Sequence, residues 1–441
     1  MFWKNITKIM LPAALLFGVT ACEIDPIEDP NNPSVGAIVQ NASLSEIQNL
    51  VTGIEAGMRG NLGNYYDGIG AIGREIYRFS TSDPRFTSDL LGKGSATLDN
   101  NTFYTTNPYN ARYRTVKNTN ILLQAVDNST ALTSDAQRQA VRGFANTIKA
   151  HQLLLLWVQQ YDNGVRVDVS DPDRLGPFVG EGNSNAALQA IAQILDEGNT
   201  QLNAGGDAFP FSLTSGFAGF EKPADFAKFN RAIAARGQTY LGNWDAALTA
   251  LNASFFDLNG DLNTGAYHPY STAGGDALNP QWFPAGATGE SRVTHPSFIT
   301  DAEAGDTRLS KAAARAETEF QDGLQSDYDF TVYATNSSPI PIIRNEELIL
   351  IYAEAKIQKG ETTVGKDALD VIRNAAGLPD YGGATTQDAL INEMLKQRRY
   401  SLFGEGHRWV DMRRYDLLNT LPIDRPGDDV WTKFPRPASD Q

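Results

Sequence analysis

Trp282 and Phe283 stand between Pro280 and Pro284 in a polar stretch, with Asn279 and Gln281 among them and Arg292 following. Tyr267, Tyr270 and Tyr328 flank the same stretch. Aromatic faces stack on the flat C–H faces that sugar rings present, while amides and guanidinium groups hydrogen-bond to hydroxyls. A second aromatic set, Tyr65, Tyr66, Tyr77 and Phe86, lies nearer the N-terminus. Aromatics also build cores, so each ring taken alone has that ordinary reading. Trp282, held between two prolines, is the clearest exception. The candidate ligand-binding residues are therefore Trp282, Phe283, Tyr270, Tyr267, Arg292 and Tyr77.

Other chemistries find less support. Gly68, Gly70 and Gly73 fit G-x-G-x-x-G, but a dinucleotide loop follows a hydrophobic strand and residues 61–67 are polar and aromatic. Close backbone packing is the expected use of these glycines. Asp257, Asn259, Asp261 and Asn263 alternate as in a calcium loop, yet Leu262 and His268 occupy the positions that need Gly and Glu. A polar turn is expected there, with a looser calcium site as the alternative. His407 and Asp411 are one helical turn apart, but the chain has 4 histidines and no H-E-x-x-H, so no metal site is expected. There is no G-x-S-x-G, phosphate loop or Cys/His pair. No catalytic residue and no cofactor is assigned. The carboxylate pair of a glycan hydrolase stays open, because acidic residues are numerous.

The balance of 52 acidic against 37 basic residues gives a formal charge of −15 over 441 residues, which disfavours nucleic acid as a partner. Cys22 is the only cysteine, so one chain can form no disulfide framework. Lys4 and Lys8 precede an apolar run from Ile9 to Val19, and Val19-Thr20-Ala21 leads directly into Cys22. Residues 1–21 read as a signal peptide, and the junction resembles a bacterial lipobox with Cys22 as the lipidated first residue. The apolar run is short of the ~20 residues a span needs. Residues 22–36, with Glu23, Asp25, Glu28, Asp29 and three prolines, read as a flexible acidic linker.

The elements that would position these groups are helical. Leu44, Ile47, Val51 and Ile54 follow helical spacing behind a Ser43–Glu46 capping box. Further helices are predicted over 111–126, 134–161, 185–202 and 222–241. Residues 80–110 read as a loop, with Asp83-Pro84 and Asn107-Pro108 as turn signals. Residues 242–247 match the joint of a tetratricopeptide hairpin, and Gly360 with Ala368 makes a looser copy. Residues 252–341 break the pattern as a loop-rich insertion, apart from helical periodicity over 301–319. The C-terminal stretch returns to helices, the first capped by Asn345, the second over 366–376, the third opened by Thr385 and Asp388.

That C-terminal stretch resembles the SusD/RagB family of nutrient-binding outer-membrane lipoproteins. The resemblance rests on Tyr352-Ala353-Glu354-Ala355, on residues 368–378, on Gln397-Arg398-Arg399-Tyr400, and on the run from Gly404 to Arg414. The family usually has Glu where Gln397 stands. The resemblance implies an all-α, tetratricopeptide-like scaffold over 37–441 in which Arg398, Arg399, Arg413 and Arg414 tie helices together with Glu405 and Asp411. It implies a non-enzymatic, lipid-anchored surface protein that captures a nutrient, expected to be an oligosaccharide, and delivers it to a SusC-like TonB-dependent transporter. A peptide-binding member of the same architecture is the alternative within the family.

Overall fold

The computed structural model describes residues 35–171 and 174–440. The expected signal peptide, Cys22 and nearly all of the expected linker lie outside the described residues.

The N-terminal helices are α1 (Val35–Asn41), α2 (Leu44–Met58) and α3 (Leu62–Ile72). The Ser43 capping box forms as expected, with Ser43 and Glu46 satisfying each other's backbone N–H groups. Helix α3 occupies the glycine-rich stretch. Its glycines permit close approach: a Cβ on Gly68 would come within 3.0 Å of the Phe434 ring, and one on Gly70 within 3.2 Å of Ile76. Strand β1 (Ile76–Ser80) follows.

Two long helices come next, α4 (Phe103–Asn128) and α5 (Asp135–Gln160), the second behind a Ser134–Gln137 capping box. Helix α4 starts eight residues before the expected Ala111. Pro108 looked like a turn signal, but it sits in the second turn, where the helix forgoes one hydrogen bond and continues. A short ribbon of β2 (Val165–Arg166) and β3 (Phe178–Val179) precedes α6 (Ser184–Asn203), α7 (Pro223–Tyr240) and α8 (Trp244–Asn252). Gly242, at φ +69°, makes the α7–α8 joint. Each helix packs on the next, α4 on α5, α5 on α6, α6 on α7 and α7 on α8.

The expectation of an all-α chain is corrected between 252 and 344. The loop-rich insertion holds strands β4 (Gly265–His268), β5 (Glu290–Thr294), β6 (Ala312–Gln321), β7 (Leu324–Phe330) and β8 (Ile340–Arg344), with a single helical turn, α9 (Ser297–Thr300). One antiparallel sheet has the order β1-β5-β7-β6, and β4 pairs with β8. The helical periodicity over 301–319 does not become a helix. Asp322 and Gly323, both at positive φ, turn the chain so that Gln321 pairs with Leu324. This two-residue turn closes a β6–β7 hairpin, and strand pairing overrides the helix propensity of its alanines.

After β8 the helices return as α10 (Asn345–Gln358), α11 (Thr362–Ala375), α12 (Gln387–Ser401) and α13 (Arg408–Arg414). Asn345 does not cap α10. Its amide binds the 257–261 loop instead, accepting from the Asp257 N–H at 3.0 Å and donating to the Asp257 carbonyl at 2.7 Å. Thr386, one residue past the expected position, caps α12. One apolar cluster runs from Ala42 to Phe434, and a second joins α10, α11 and α12 through Leu350, Leu369 and Met394.

The arginines of the C-terminal motif do cross-link elements. Arg398 donates to Asp411 at 2.7 Å, Arg414 reaches both Asp411 and Glu354, and Arg344 pairs with Glu405 at 2.7 Å. Arg399 pairs with Asp301 rather than with a motif acid, and Arg413 donates to the carbonyls of Val158 and Thr432. Gln397 fills its place without charge, accepting from Arg308 and donating to Glu393, each at 2.7 Å.

Candidate functional site

Strand alternation decides which candidate residues meet. In the β1–β5 ladder Arg78 stands opposite Arg292 and Tyr77 opposite Val293. Successive side chains leave opposite faces, so the two arginines share one face while Tyr77 goes to the other. There it packs on Phe79 and His295 within a small cluster with Leu91 and Leu324. Tyr77 is thus an interior residue, 3% exposed.

Two guanidinium groups side by side require compensation. Asp67 of α3 supplies it, accepting from Arg292 Nε at 2.8 Å and lying 3.7 Å from Arg78 Nε. Phe283 then covers the pair, its ring centre 4.7 Å from the Arg78 guanidinium carbon and 4.8 Å from that of Arg292. Arg78 also lies against Phe86 at 5.0 Å; Phe86 meets Phe103 at 4.9 Å, and Arg85 covers Phe103 at 5.1 Å. The result is a partly exposed row of rings and guanidinium groups: Phe283, Arg78, Phe86, Phe103 and Arg85.

Glu290 borders this row. It accepts from Arg78 at 2.7 Å, from the Ser80 hydroxyl at 2.6 Å and from the Ser82 hydroxyl at 2.8 Å. Burial works to raise its carboxyl, but the Ser80, Arg78 and Ser82 hydrogen bonds prevail and hold it at about 2. The row therefore carries a fixed anion beside its cations, the mixed edge that hydroxyl donors and acceptors need.

The loop bearing Trp282 is anchored before it reaches the surface. Asn279 donates its backbone N–H to the Asn336 carbonyl and its side-chain amide to the Ser338 carbonyl, both at 2.7 Å. The Gln281 N–H returns to the Asn279 side chain, and Arg292 donates to the Gln281 carbonyl. Further on, the Gly286 N–H reaches Asp329 at 2.7 Å. Trp282 and Phe283 are half-buried on this loop. A side chain held in place before binding loses less freedom on binding.

The six candidates thus separate. Trp282 and Phe283 stay together half-buried on one loop, with Arg292, 2% exposed, as the buried support of the Phe283 ring. Asn279 and Gln281 are likewise interior. Tyr267 lies elsewhere, lining a cleft with Phe220, Phe255 and Lys228. Tyr270 is buried near Arg59. Arg78, Arg85, Phe103 and Glu290 join the site without having been singled out. The signal for Arg78 was the alternation Tyr77-Arg78-Phe79, which marks a strand with a polar face.

The residues weighed for metals have other work. Asp257 and Asp261 accept the N–H groups of Asn259 and Asn263, each at 2.9 Å, as Asx turns. Asp411 is held by Arg398 and Arg414, and His407 lies 3.7 Å from Glu347. Among the described residues no group of three or more His, Cys, Asp or Glu is placed to hold a metal ion. Among them, too, no helix is long and apolar enough to cross a membrane.

Residues 297–434 match the model of the SusD family. A SusD-like protein of Formosa agariphila is 30% identical over 128 residues, 26% of this chain and 25% of that protein, so the match spans a quarter of the relative's length. Among solved structures, a SusD superfamily protein of Bacteroides vulgatus superposes with a TM-score of 0.66 at 17% identity, covering 90% of this chain and 96% of its own. Surface glycan-binding protein A of Bacteroides thetaiotaomicron, in complex with laminarihexaose, superposes with a TM-score of 0.67 at 15% identity, covering 90% and 97%. Residues 297–434 are thus similar to the SusD family, and the described chain shares the fold of SusD superfamily structures.

Proposed function

We propose that the protein is a surface glycan-binding lipoprotein of a nutrient-uptake system, and that the row of Phe283, Arg78, Phe86, Phe103 and Arg85, with Trp282 next to Phe283 in the chain, is where an oligosaccharide lies. The supporting observation is the row itself. It presents the half-buried Phe283 and Phe103 rings, the first on an anchored loop, beside Glu290 and Ser82, in a fold shared with a protein solved in complex with laminarihexaose. Sugar faces stack on the rings, hydroxyls exchange hydrogen bonds with the charged edge, and no bond is broken. In this reading Cys22 carries the lipid anchor at the outer membrane, the helix pairs are tetratricopeptide-like hairpins, and the partner is a SusC-like TonB-dependent transporter.

The test is a glycan array followed by calorimetry on the best ligand. Binding that survives in the wild type and is lost in Trp282→Ala and Phe283→Ala supports the assignment. A protein that binds peptides and no glycan overturns it. So does one that releases labelled products from the bound glycan.

A further inference from the structure

Helix α4 carries an open face of unusual composition. Asn110, Tyr113, Arg114 and Lys117 follow the i, i+3, i+4, i+7 spacing that ordinarily makes a buried stripe. Here the stripe lines a cleft of about 460 Å³, the size of an ordinary small-molecule site. The far wall is apolar, made by Val169 and by Leu175, whose side chain is left 45% exposed. Ser439 and Asp440 close the remaining side. None of these residues belongs to the Trp282–Phe283 row.

The wall is built rather than incidental. The Tyr113 hydroxyl accepts the Arg166 N–H at 2.7 Å, and the Tyr109 ring meets Tyr113 edge-on at 4.7 Å, so the Tyr113 ring is held in place. Arg166 is neutralised within the wall, donating to Asp440 at 2.9 Å and lying 3.8 Å above the Phe178 ring. Arg114 and Lys117 are different. Both are exposed, and among the described residues neither makes an ion pair or a hydrogen bond. In a chain of net charge −15, two neighbouring cations that make no ion pair among the described residues line one concave, partly apolar surface.

We propose that this cleft is a second binding site, for a saccharide that bears an anionic group. The sugar ring lies between the Tyr113 face and the side chains of Val169 and Leu175. Its carboxylate or sulfate meets Arg114, whose guanidinium matches such groups with two parallel hydrogen bonds, and Lys117, which adds a point charge. Asn110, one turn before Arg114, is placed for a ring hydroxyl. A neutral sugar would leave both cations unanswered, so the site selects for charge.

Calorimetry on the full-length protein tests this with four probes: trigalacturonate, a sulfated galacto-oligosaccharide, neutral maltotriose and inorganic sulfate. At least one acidic sugar binds, its affinity falls as sodium chloride rises, and maltotriose binds at least tenfold more weakly in this cleft. The Arg114→Gln/Lys117→Gln double variant loses at least tenfold in affinity for the acidic sugar and keeps the wild-type melting temperature, because both side chains are exposed. Trp282→Ala/Phe283→Ala leaves that affinity within twofold, which separates this site from the proposed glycan row. The proposal falls if neither acidic sugar binds, if the double variant binds as the wild type does, or if maltotriose competes equally. Sulfate binding as tightly as the sugars would also overturn it, reducing the cleft to a simple anion site.

Discussion

Phe283 and Arg292 touch each other and yet have different jobs. Phe283 covers two guanidinium groups with one face and is half-buried. Trp282→Ala removes a stacking surface from an anchored loop, and the expected result is about a tenfold loss of glycan affinity, about 1.4 kcal/mol, with little change in melting temperature. Arg292→Ala gives the reverse pattern. It strands the buried Asp67 carboxylate, and breaking such a pair costs about 3–5 kcal/mol of stability, so thermal unfolding registers it before any binding assay does. Tyr77→Phe, on the opposite face of β1, leaves glycan affinity unchanged. Calorimetry and thermal melts on the three variants separate these outcomes. A Trp282→Ala protein that bound as the wild type does would remove the row from the site.

Elements show why some of this was readable and some was not. The capping box at Ser43, Gly360 after α10 and the small-residue helices of the C-terminal motif are local signals, and they form as the residues specify. The β6–β7 hairpin was hidden because Ala312–Glu319 favours a helix locally, and its competing signal is only the Asp322-Gly323 pair. The site was half legible for a related reason. Ring-bearing residues announce themselves, but which face of β1 each occupies depends on a partner strand more than 200 residues away. The hairpin reading makes its own prediction. Gly323 sits at φ +79°, which a β-branched residue adopts only under strain. Gly323→Val is expected to destabilise the protein by about 1–3 kcal/mol, read as a lower denaturation midpoint. Gly323→Asn, whose side chain tolerates this conformation, restores most of the loss.

At the scale of the whole molecule, Glu75 joins the two ends of the chain. It lies between α3 and β1; its carbonyl accepts the His295 N–H at 2.9 Å, and its carboxylate accepts the N–H of Gly404 in the C-terminal motif at 3.2 Å. Burial raises this carboxyl from the ordinary 4.5 to about 7, against the pull of the Gly404 hydrogen bond and of Arg408 and Arg399. Between those two values the folded state holds a proton that the unfolded state has released, so the contribution of Glu75 to stability falls as pH rises from 4.5 to 7. The difference corresponds to at most on the order of 3 kcal/mol. Lys311 acts in the opposite sense above that window. Burial lowers its ammonium from 10.5 to about 7, so its contribution to stability grows from pH 7 upward and is lost as pH falls back through 7. The carboxylates that are held low, such as Glu347 at about 2, act below pH 4.5, where burial is overcome by the charge of Arg236. The four buried histidines, His151, His268, His295 and His407, act in the interval from 4.5 to 7 with the opposite sign: burial holds each below 6.5, so stability rises with pH as the unfolded state sheds their protons, and Glu75 is read as the difference between the wild type and a variant without its carboxyl. Glu75→Gln is expected to remove the opposing contribution, so that melting temperature rises more steeply from pH 4.5 to 7 than in the wild type, while leaving the rise above pH 7 in place. Lys311→Met does the converse. A Glu75→Gln protein whose melting temperature followed the wild-type profile from pH 4.5 to 7 would show that the carboxylate ionises in place at no cost, and that the two ends of the chain are not held by a protonated group.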